Sequence, residues 1–291
     1  MRIANNTAYL SFLRDLQRTQ ESIFEAQTQV TSGKKVSKPS DDPVAASDII
    51  RLTGEKAESD QFVKNIDAAR SRLGAADSIL DSVEQMLERV QVLGQSSLGN
   101  LVNATAFTTE IDGLRDQILS AANAMHAGRY IFGGSVTSVP PYQQTAGVVS
   151  YLGNSNAVVL QAGRNTTIQA QIPGSEIFTT AGVDVFATIR NLSTAIQAGN
   201  RAAIDTELGN LKQAWTRVST ARTRVGGYVN LADSLSSQFT TAGILRAQHL
   251  SNVQDADPAQ SITQLTLSQT SLQATLAVGA RIAQMSLIDY I

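Results

Sequence analysis

Apolar side chains recur at alternating spacings of four and three residues along two long stretches of the chain. This alternation is typical of the seam of a coiled coil, along which one helix packs against another. The first stretch starts at Val44 and runs for about 55 residues, which corresponds to roughly 80 Å of helix. The second runs from Arg201 to about Val253, with polar residues at Arg222 and Ser236. The seams consist of Phe62, Ile66, Ala69, Leu73, Ala76, Leu80, Val83, Leu87 and Val90, and of Ile204, Leu208, Leu211, Trp215, Val218, Val225, Val229, Ala232 and Phe239.

Two long helices with matching seams predict an antiparallel bundle that brings the two ends of the chain together. Shorter helical patterns cover residues 110–125 and 185–198. Between them the period changes, and short β-rich runs are separated by Gly and Asn clusters that favour turns. Those runs are residues 129–134, 148–152, 157–161 and 166–172. The predicted fold class is mainly α: an elongated antiparallel helical-bundle or coiled-coil rod with a small inserted β domain.

Both ends of the chain also carry an amphipathic helical pattern. Residues 1–31 have two adjacent apolar seams, which predict two neighbouring helices, whereas residues 257–291 have one narrow stripe. No side chain is charged between Pro258 and Ala280, so a transmembrane span is an alternative for this stripe. Eleven of those 23 residues are Gln, Ser or Thr, whose polar atoms would be costly in hydrocarbon. We therefore favour a helix that packs against protein.

The two ends complement each other in charge as well as in apolar surface. The first 40 residues contain six basic and three acidic side chains, whereas residues 255–291 contain one basic and three acidic side chains. We predict that the N- and C-terminal helical arms pair, and that the seam left over on the N-terminal arm contacts another subunit. The predicted assembly interface consists of Ile3, Leu10, Leu13, Leu16, Ile23, Leu265, Leu272, Leu276, Ile282 and Leu287.

A break separates the N-terminal arm from the first long helix. Gly33 suits a helix C-terminus, Pro39 prevents the helix from continuing, and Asp42 before Pro43 is a favourable N-cap. The break is either a surface turn or a structured elbow that sets the angle of the arm, with Asp41 as a further member. Asp255 and Asp257 before Pro258 repeat the arrangement at the C-terminal arm. We interpret each aspartate pair as an N-cap rather than as paired catalytic carboxylates or a calcium site.

The residue types needed for catalysis or metal binding are sparse. The chain has no cysteine, which excludes disulfides and thiolate chemistry, and its two histidines, His126 and His249, lie in no metal-binding motif. A net charge of −2 gives no basic surface for nucleic acid. The first 17 residues lack the apolar run of a cleaved signal peptide. We therefore expect no enzymatic activity, no cofactor and no metal.

Several motifs together resemble the bacterial flagellin family. Within that family the chain is similar to the subunits that join the flagellar hook to the filament. Filament flagellin is similar around Gly33 and Asp41, but it usually has Ala in place of Pro43 and seldom ends in an Asp-Tyr pair. The motifs are Met1-Arg2-Ile3 with Thr7 to Leu10, Ser32-Gly33-Lys34-Lys35-Val36, Pro39-Ser40-Asp41-Asp42-Pro43, Gly128-Arg129-Tyr130-Ile131-Phe132-Gly133-Gly134 and Ser286-Leu287-Ile288-Asp289-Tyr290-Ile291.

The resemblance implies a structural subunit of the flagellum, located outside the cell. Such a protein would be exported unfolded by the flagellar type III apparatus, and an export chaperone would hold its C-terminal arm. A ring of identical subunits would sit between hook-associated protein 1 and flagellin, with no membrane or nucleic acid as partner. The alternatives are filament flagellin itself, and a secreted adhesin or enzyme whose β domain is the active part.

Five segments are predicted on this basis. The N-terminal arm with its elbow covers residues 1–43, and the C-terminal arm covers residues 255–291. Residues 44–134 and 183–254 are the two halves of the rod, and residues 135–182 form the inserted β-rich domain.

Overall fold

The computed structural model describes residues 2–180 and 182–288, and helices make up most of this part of the chain. The strands pair only as two-stranded antiparallel hairpins among the described residues. The helices are α1 (Arg2–Ser32), α2 (Pro43–Gly99), α3 (Ala104–Ala122), α4 (Gly174–Ile177), α5 (Val185–Gln197), α6 (Arg201–Gln254) and α7 (Pro258–Ile288), with a 3₁₀ turn at Leu101–Asn103. The strands are β1 (Met125–His126), β2 (Arg129–Tyr130), β3 (Tyr142–Thr145), β4 (Val148–Tyr151), β5 (Val159–Gln161), β6 (Thr167–Gln169), β7 (Thr179–Thr180) and β8 (Val183–Asp184).

The predicted seam of α2 is the face of that helix that packs into the core, because every seam residue from Phe62 to Val90 is buried. It packs against α6. The rings of Phe62 and Phe239 lie 5.6 Å apart, and Arg70 Nε lies 2.9 Å from Asp233 Oδ1. Further along α2, Glu84 pairs with Arg222 at 2.9 Å. The residue numbers of the partners on α6 decrease as the residue numbers on α2 increase, so the two helices are antiparallel.

The seam of α6 differs from the predicted one at two positions. Residues Ile204, Leu211, Val218, Val225 and Ala232 are buried as expected. Ala214 and Ala221 are buried between Leu211 and Val225, whereas Trp215, one residue after Ala214, is only partly buried. The predicted interruption at Arg222 therefore lies beside the seam. Its guanidinium contacts Asp77, Asp81 and Glu84 of α2.

The β-rich region is built onto the helices and shares their core. The rings of Phe132 and Tyr142 both pack edge-on against Phe178, with centroids 5.5 and 5.7 Å apart, and all three side chains are buried. The predicted strand over residues 129–134 is wrong beyond Tyr130. Ile131 and Phe132 are buried in the core from an irregular segment instead, where Phe132 packs on Phe178.

Asn123 at the end of α3 is hydrogen-bonded to the start of β3 in the β-rich region. Its Nδ2 donates to Tyr142 O and its Oδ1 accepts from Tyr142 N–H, both at 2.9 Å. Both backbone groups of one buried residue are thus satisfied by one side chain, which fixes where β3 begins.

The chain divides into two compact units, and α2 and α6 each pass from one into the other. The terminal unit comprises residues 1–58 and 242–291, and the central unit comprises residues 59–241. The predicted fold class is confirmed in its mainly helical content, its antiparallel long helices, its paired terminal helices and its small β region. No described helix has the length and apolar character that crossing a membrane requires.

Candidate assembly surface

The two terminal helices pack against each other through small and polar residues. Ser22 Oγ of α1 lies 3.0 Å from Ser268 Oγ of α7. Near the other end of the contact, the ring of Phe12 lies against Gly279 and leaves no room for a Cβ there. Because residue 12 meets residue 279 and residue 22 meets residue 268, α1 and α7 are antiparallel. The predicted pairing of the arms is therefore present.

The seam of α7 is a four-three alternation of small and large residues. Ser261 and Ser268 are buried, Thr275 is half-buried, and Leu265 and Leu272 are half-buried between them. Serine and threonine at every second seam position let the two backbones approach closely, since these side chains occupy little space. Ile262 and Leu276, each one residue after a small seam residue, are thereby left outside the contact.

Large apolar residues outside the contact form two exposed stripes. On α1, Leu10 is 48% and Phe24 is 68% exposed, and on α7, Ile262 is 55% and Leu276 is 50% exposed. Each pair is 14 residues apart, with an exposed Gln midway, so each set lies on one edge of its helix. We call Leu10, Gln17 and Phe24 the α1 stripe, and Ile262, Gln269 and Leu276 the α7 stripe.

The terminal unit buries far fewer apolar side chains than the central unit does. Of the 40 buried apolar residues in the described part of the chain, only four belong to the terminal unit, and eleven large apolar residues of that unit are exposed. A unit with so small a core and so much exposed apolar surface is typical of a surface that binds protein. The four buried residues are Ala26, Val36, Ala46 and Leu52.

The predicted interface residues fall into three groups. Leu13, Leu16, Ile23, Leu265 and Leu272 are half-buried. Leu10 and Leu276 lie in the exposed stripes described above. The side chains of Ile3, Ile282 and Leu287 lie outside the described part of the structure. Sequence reasoning missed Ala26, Ser261 and Ser268. The two serines could have been found from the spacing of seven residues between them.

The predicted elbow is ordered by hydrogen bonds. Gly33 has a left-handed φ of +69°, which a residue without Cβ adopts easily, and its N–H donates to Gln29 O at 2.9 Å. Pro39 lies in the turn closed by the bond from Asp41 N–H to Lys38 O at 3.0 Å. Pro43 is the first residue of α2. The structured-elbow interpretation is thus supported by the geometry.

The two aspartates of the elbow have different roles. Asp42 Oδ1 accepts from the N–H groups of Val44 and Ala45, both at 2.9 Å, and so caps α2. Asp41 Oδ2 instead accepts from the N–H groups of Ser37 and Lys38, each at 3.1 Å. Desolvation raises the pKa of Asp41, but these hydrogen bonds together outweigh it and leave the pKa below its ordinary value.

In the loop before α7, residues 255–257, the two aspartates again have different roles, and this loop is hydrogen-bonded to the elbow. Asp257 caps α7 by accepting from Ala259 N–H at 2.8 Å, whereas Asp255 accepts from the Ser251 hydroxyl at 2.6 Å. In each predicted N-cap pair, therefore, only the second aspartate caps the helix. Between the elbow and this loop, Lys35 N–H donates to Gln254 O at 2.8 Å and Ala256 N–H donates to Gly33 O at 2.9 Å.

Beside the elbow, a groove of about 630 Å³ separates the loop from α1. The exposed ring of Phe24 forms part of its wall, together with Lys35, Lys38 and Asp41. His126 bonds to Ser71, and no group of described side chains is arranged to hold a metal ion.

Both parts of the chain that carry the long helices match one family. Residues 3–137 match the bacterial flagellin N-terminal helical region, and residues 208–291 match the bacterial flagellin C-terminal helical region. The chain therefore belongs to the bacterial flagellin family, as its motifs predicted.

Within that family, the chain is similar over nearly its whole length to flagellar hook-associated protein 3. The protein of that name from Escherichia coli strain K12 is 26% identical over 316 residues, which cover 99% of each chain. Flagellin FljM of Caulobacter vibrioides is 27% identical over 278 residues, which cover 93% of this chain and 90% of the flagellin. A solved structure of flagellar hook-associated protein 3 from Legionella pneumophila has the same fold. It is 13% identical, covers 70% of this chain and 98% of its own, and gives a TM-score of 0.64.

Proposed function

We propose that this chain is a structural subunit of the bacterial flagellum that forms the junction between hook and filament. The observation that carries the proposal is the terminal unit: among its described residues, eleven large apolar side chains are exposed and only four apolar side chains are buried. The similarity to hook-associated protein 3, with 99% coverage of both chains, supports a role at the junction. The function is mechanical, and residues 135–182 face solvent in the assembly.

Subunits contact one another through the α1 and α7 stripes. Each stripe presents two large apolar side chains separated by a glutamine, so its burial removes apolar surface from water without burying a charge. Residues 1–43 and 255–291 act as the assembling arms, and residues 44–134 and 183–254 form the helical domain that carries them.

The proposed position at the junction between hook and filament determines the binding partners of this chain. A ring of identical subunits contacts hook-associated protein 1 on one side and flagellin on the other. Before assembly the exposed stripes are an aggregation hazard, so an export chaperone covers the C-terminal arm. The chain leaves the cell through the flagellar type III apparatus.

Leu276→Asp tests the stripe. The side chain is already half exposed, so we expect the purified variant to keep wild-type helicity by circular dichroism. In a strain that lacks the native gene, the variant should fail to restore swimming, and flagellin should accumulate in the medium. Gln273→Asp, which adds the same charge at an exposed position of the same helix, should swim normally. Normal filaments on Leu276→Asp cells would refute the proposed contact.

A further inference from the structure

Two arginines of the central unit, Arg72 and Arg129, take no part in the contacts described above. Arg72 lies on α2, and Arg129 lies on β2 within the motif that follows Gly128. His126 is the direct partner of Arg129 in the β1–β2 hairpin, and its Nε2 lies 3.0 Å from Ser71 Oγ. The hairpin is thus tied to α2 one residue away from Arg72, which brings the two arginines together.

The turn that makes this approach possible is tight. Ala127 and Gly128 both have left-handed φ angles, +49° and +75°, as the two central residues of a primed hairpin turn require. Arg129 follows immediately and is exposed, whereas Arg72 is half-buried. Desolvation and the positive charge of Arg129 both lower the pKa of Arg72, which is the electrostatic sign of two adjacent cations.

Arg72 differs in this respect from the other arginines of its helix. Arg51, Arg70 and Arg89 each pair with a carboxylate, at 3.0, 2.9 and 2.6 Å respectively. Neither Arg72 nor Arg129 has such a partner among the residues that the structure describes. A half-buried cation beside a second cation is costly unless an anion joins them, because partial burial weakens the hydration that would screen the repulsion.

We propose that Arg72 and Arg129 form an oxyanion site that binds a carboxylate side chain from a neighbouring copy of this chain. Each guanidinium presents planar N–H groups that match the two oxygens of a carboxylate, and the anion removes the repulsion between the cations. Exposed carboxylates of the same unit that have no ion pair within the described residues, such as Glu88 and Asp205, are of the kind required. The site rests on the proposed function, since it needs a polymer of copies.

Arg72→Glu with Arg129→Glu tests the site against a matched control, Lys212→Glu with Arg217→Glu, which makes the same change of charge on α6. Both purified double variants should keep the wild-type thermal midpoint. In the strain without the native gene, we expect the Arg72/Arg129 variant to swim at least fivefold more slowly than the control. Swimming equal to the control, with no phosphate binding to the wild-type protein, would overturn the proposal.

Inorganic phosphate distinguishes the source of the anion. If the wild-type chain binds phosphate saturably, the Arg72/Arg129 variant does not, and that variant swims normally, then the site takes a free anion and the neighbouring copy is excluded. Leu276→Asp is measured in the same strain. If it abolishes swimming while the Arg72/Arg129 variant does not, the arginine site fails and the proposed function stands.

Discussion

Replacing Asn123 by Ala should loosen the attachment of the β-rich region to α3. The wild-type amide makes two 2.9 Å hydrogen bonds, one to the carbonyl and one to the N–H of Tyr142, whose side chain is 2% exposed. The truncation removes both bonds and leaves both backbone groups without a partner in a site that water enters poorly. Each orphaned backbone group costs about 1–3 kcal/mol, and two are left, so we expect a loss of about 2–6 kcal/mol.

Urea unfolding followed by circular dichroism measures this loss, and thermal unfolding should show a midpoint lower by roughly 4–24 °C for a unit of this size. Amide exchange should accelerate at Tyr142 before it does in α2. Asn156→Ala is the matched control, because that side chain is exposed and its loss should change the free energy of unfolding by less than about 0.5 kcal/mol. If Asn123→Ala were as stable as this control, the two bonds would not fasten the region.

Three further changes probe the core, the paired arms and the elbow. Leu80→Ala removes a fully buried seam residue and should lower the free energy of unfolding by about 3–4 kcal/mol in urea; a loss below about 1 kcal/mol would contradict a packed seam. Gly279→Val puts branched atoms where the ring of Phe12 lies, so amide exchange should become faster along both terminal helices, and unchanged exchange would show that they do not touch there. The elbow contacts of Asp41 need its carboxylate, whose pKa is lowered by folding, so they should be present above the unfolded value near 3.8 and lost as pH falls through the folded pKa. An Asp41→Asn variant should lose this acid transition, as monitored at the Ser37 amide, and a transition that persisted would have another origin.

The long helices could be predicted from sequence because their periodicity extends over many turns. The apolar seam of α2 and the helix breaks at Gly33, Pro39 and Pro43 were visible as spacing and as turn chemistry. The resemblance to flagellins rested on motifs at the ends and at the elbow, which are the segments that the family comparison also matches.

The detailed packing was less predictable, and the same error occurred in two helices. In α6 the prediction chose Trp215 where the structure buries Ala214, and in α7 it chose Leu276 where Thr275 faces the contact. Ranking by hydrophobicity favours the larger neighbour, but two helices that approach closely need the smaller one between them. Hydrophobicity along one chain contains no information about the distance to the partner helix.

The long-range polar contacts could not be predicted for a related reason. Nothing in the local sequence around Asn123 indicates that Tyr142 lies opposite it, 19 positions further along the chain. The arrangement of Arg72 and Arg129 likewise depends on a hairpin folding back onto α2. Such contacts depend on topology, which a single sequence expresses only through its elements.

The backbone hydrogen bonds between the elbow and the loop before α7 couple the lengths of these two loops. These hydrogen bonds, from Lys35 to Gln254 and from Ala256 to Gly33, hold the end of α1 and the start of α7 at a fixed register. One residue inserted between these bonds and either arm helix would shift one arm along the other by about 1.5 Å and separate Ser22 from Ser268. An insertion in one loop should therefore be tolerated only when the other loop gains a residue too, so that the two loops vary in length as a pair.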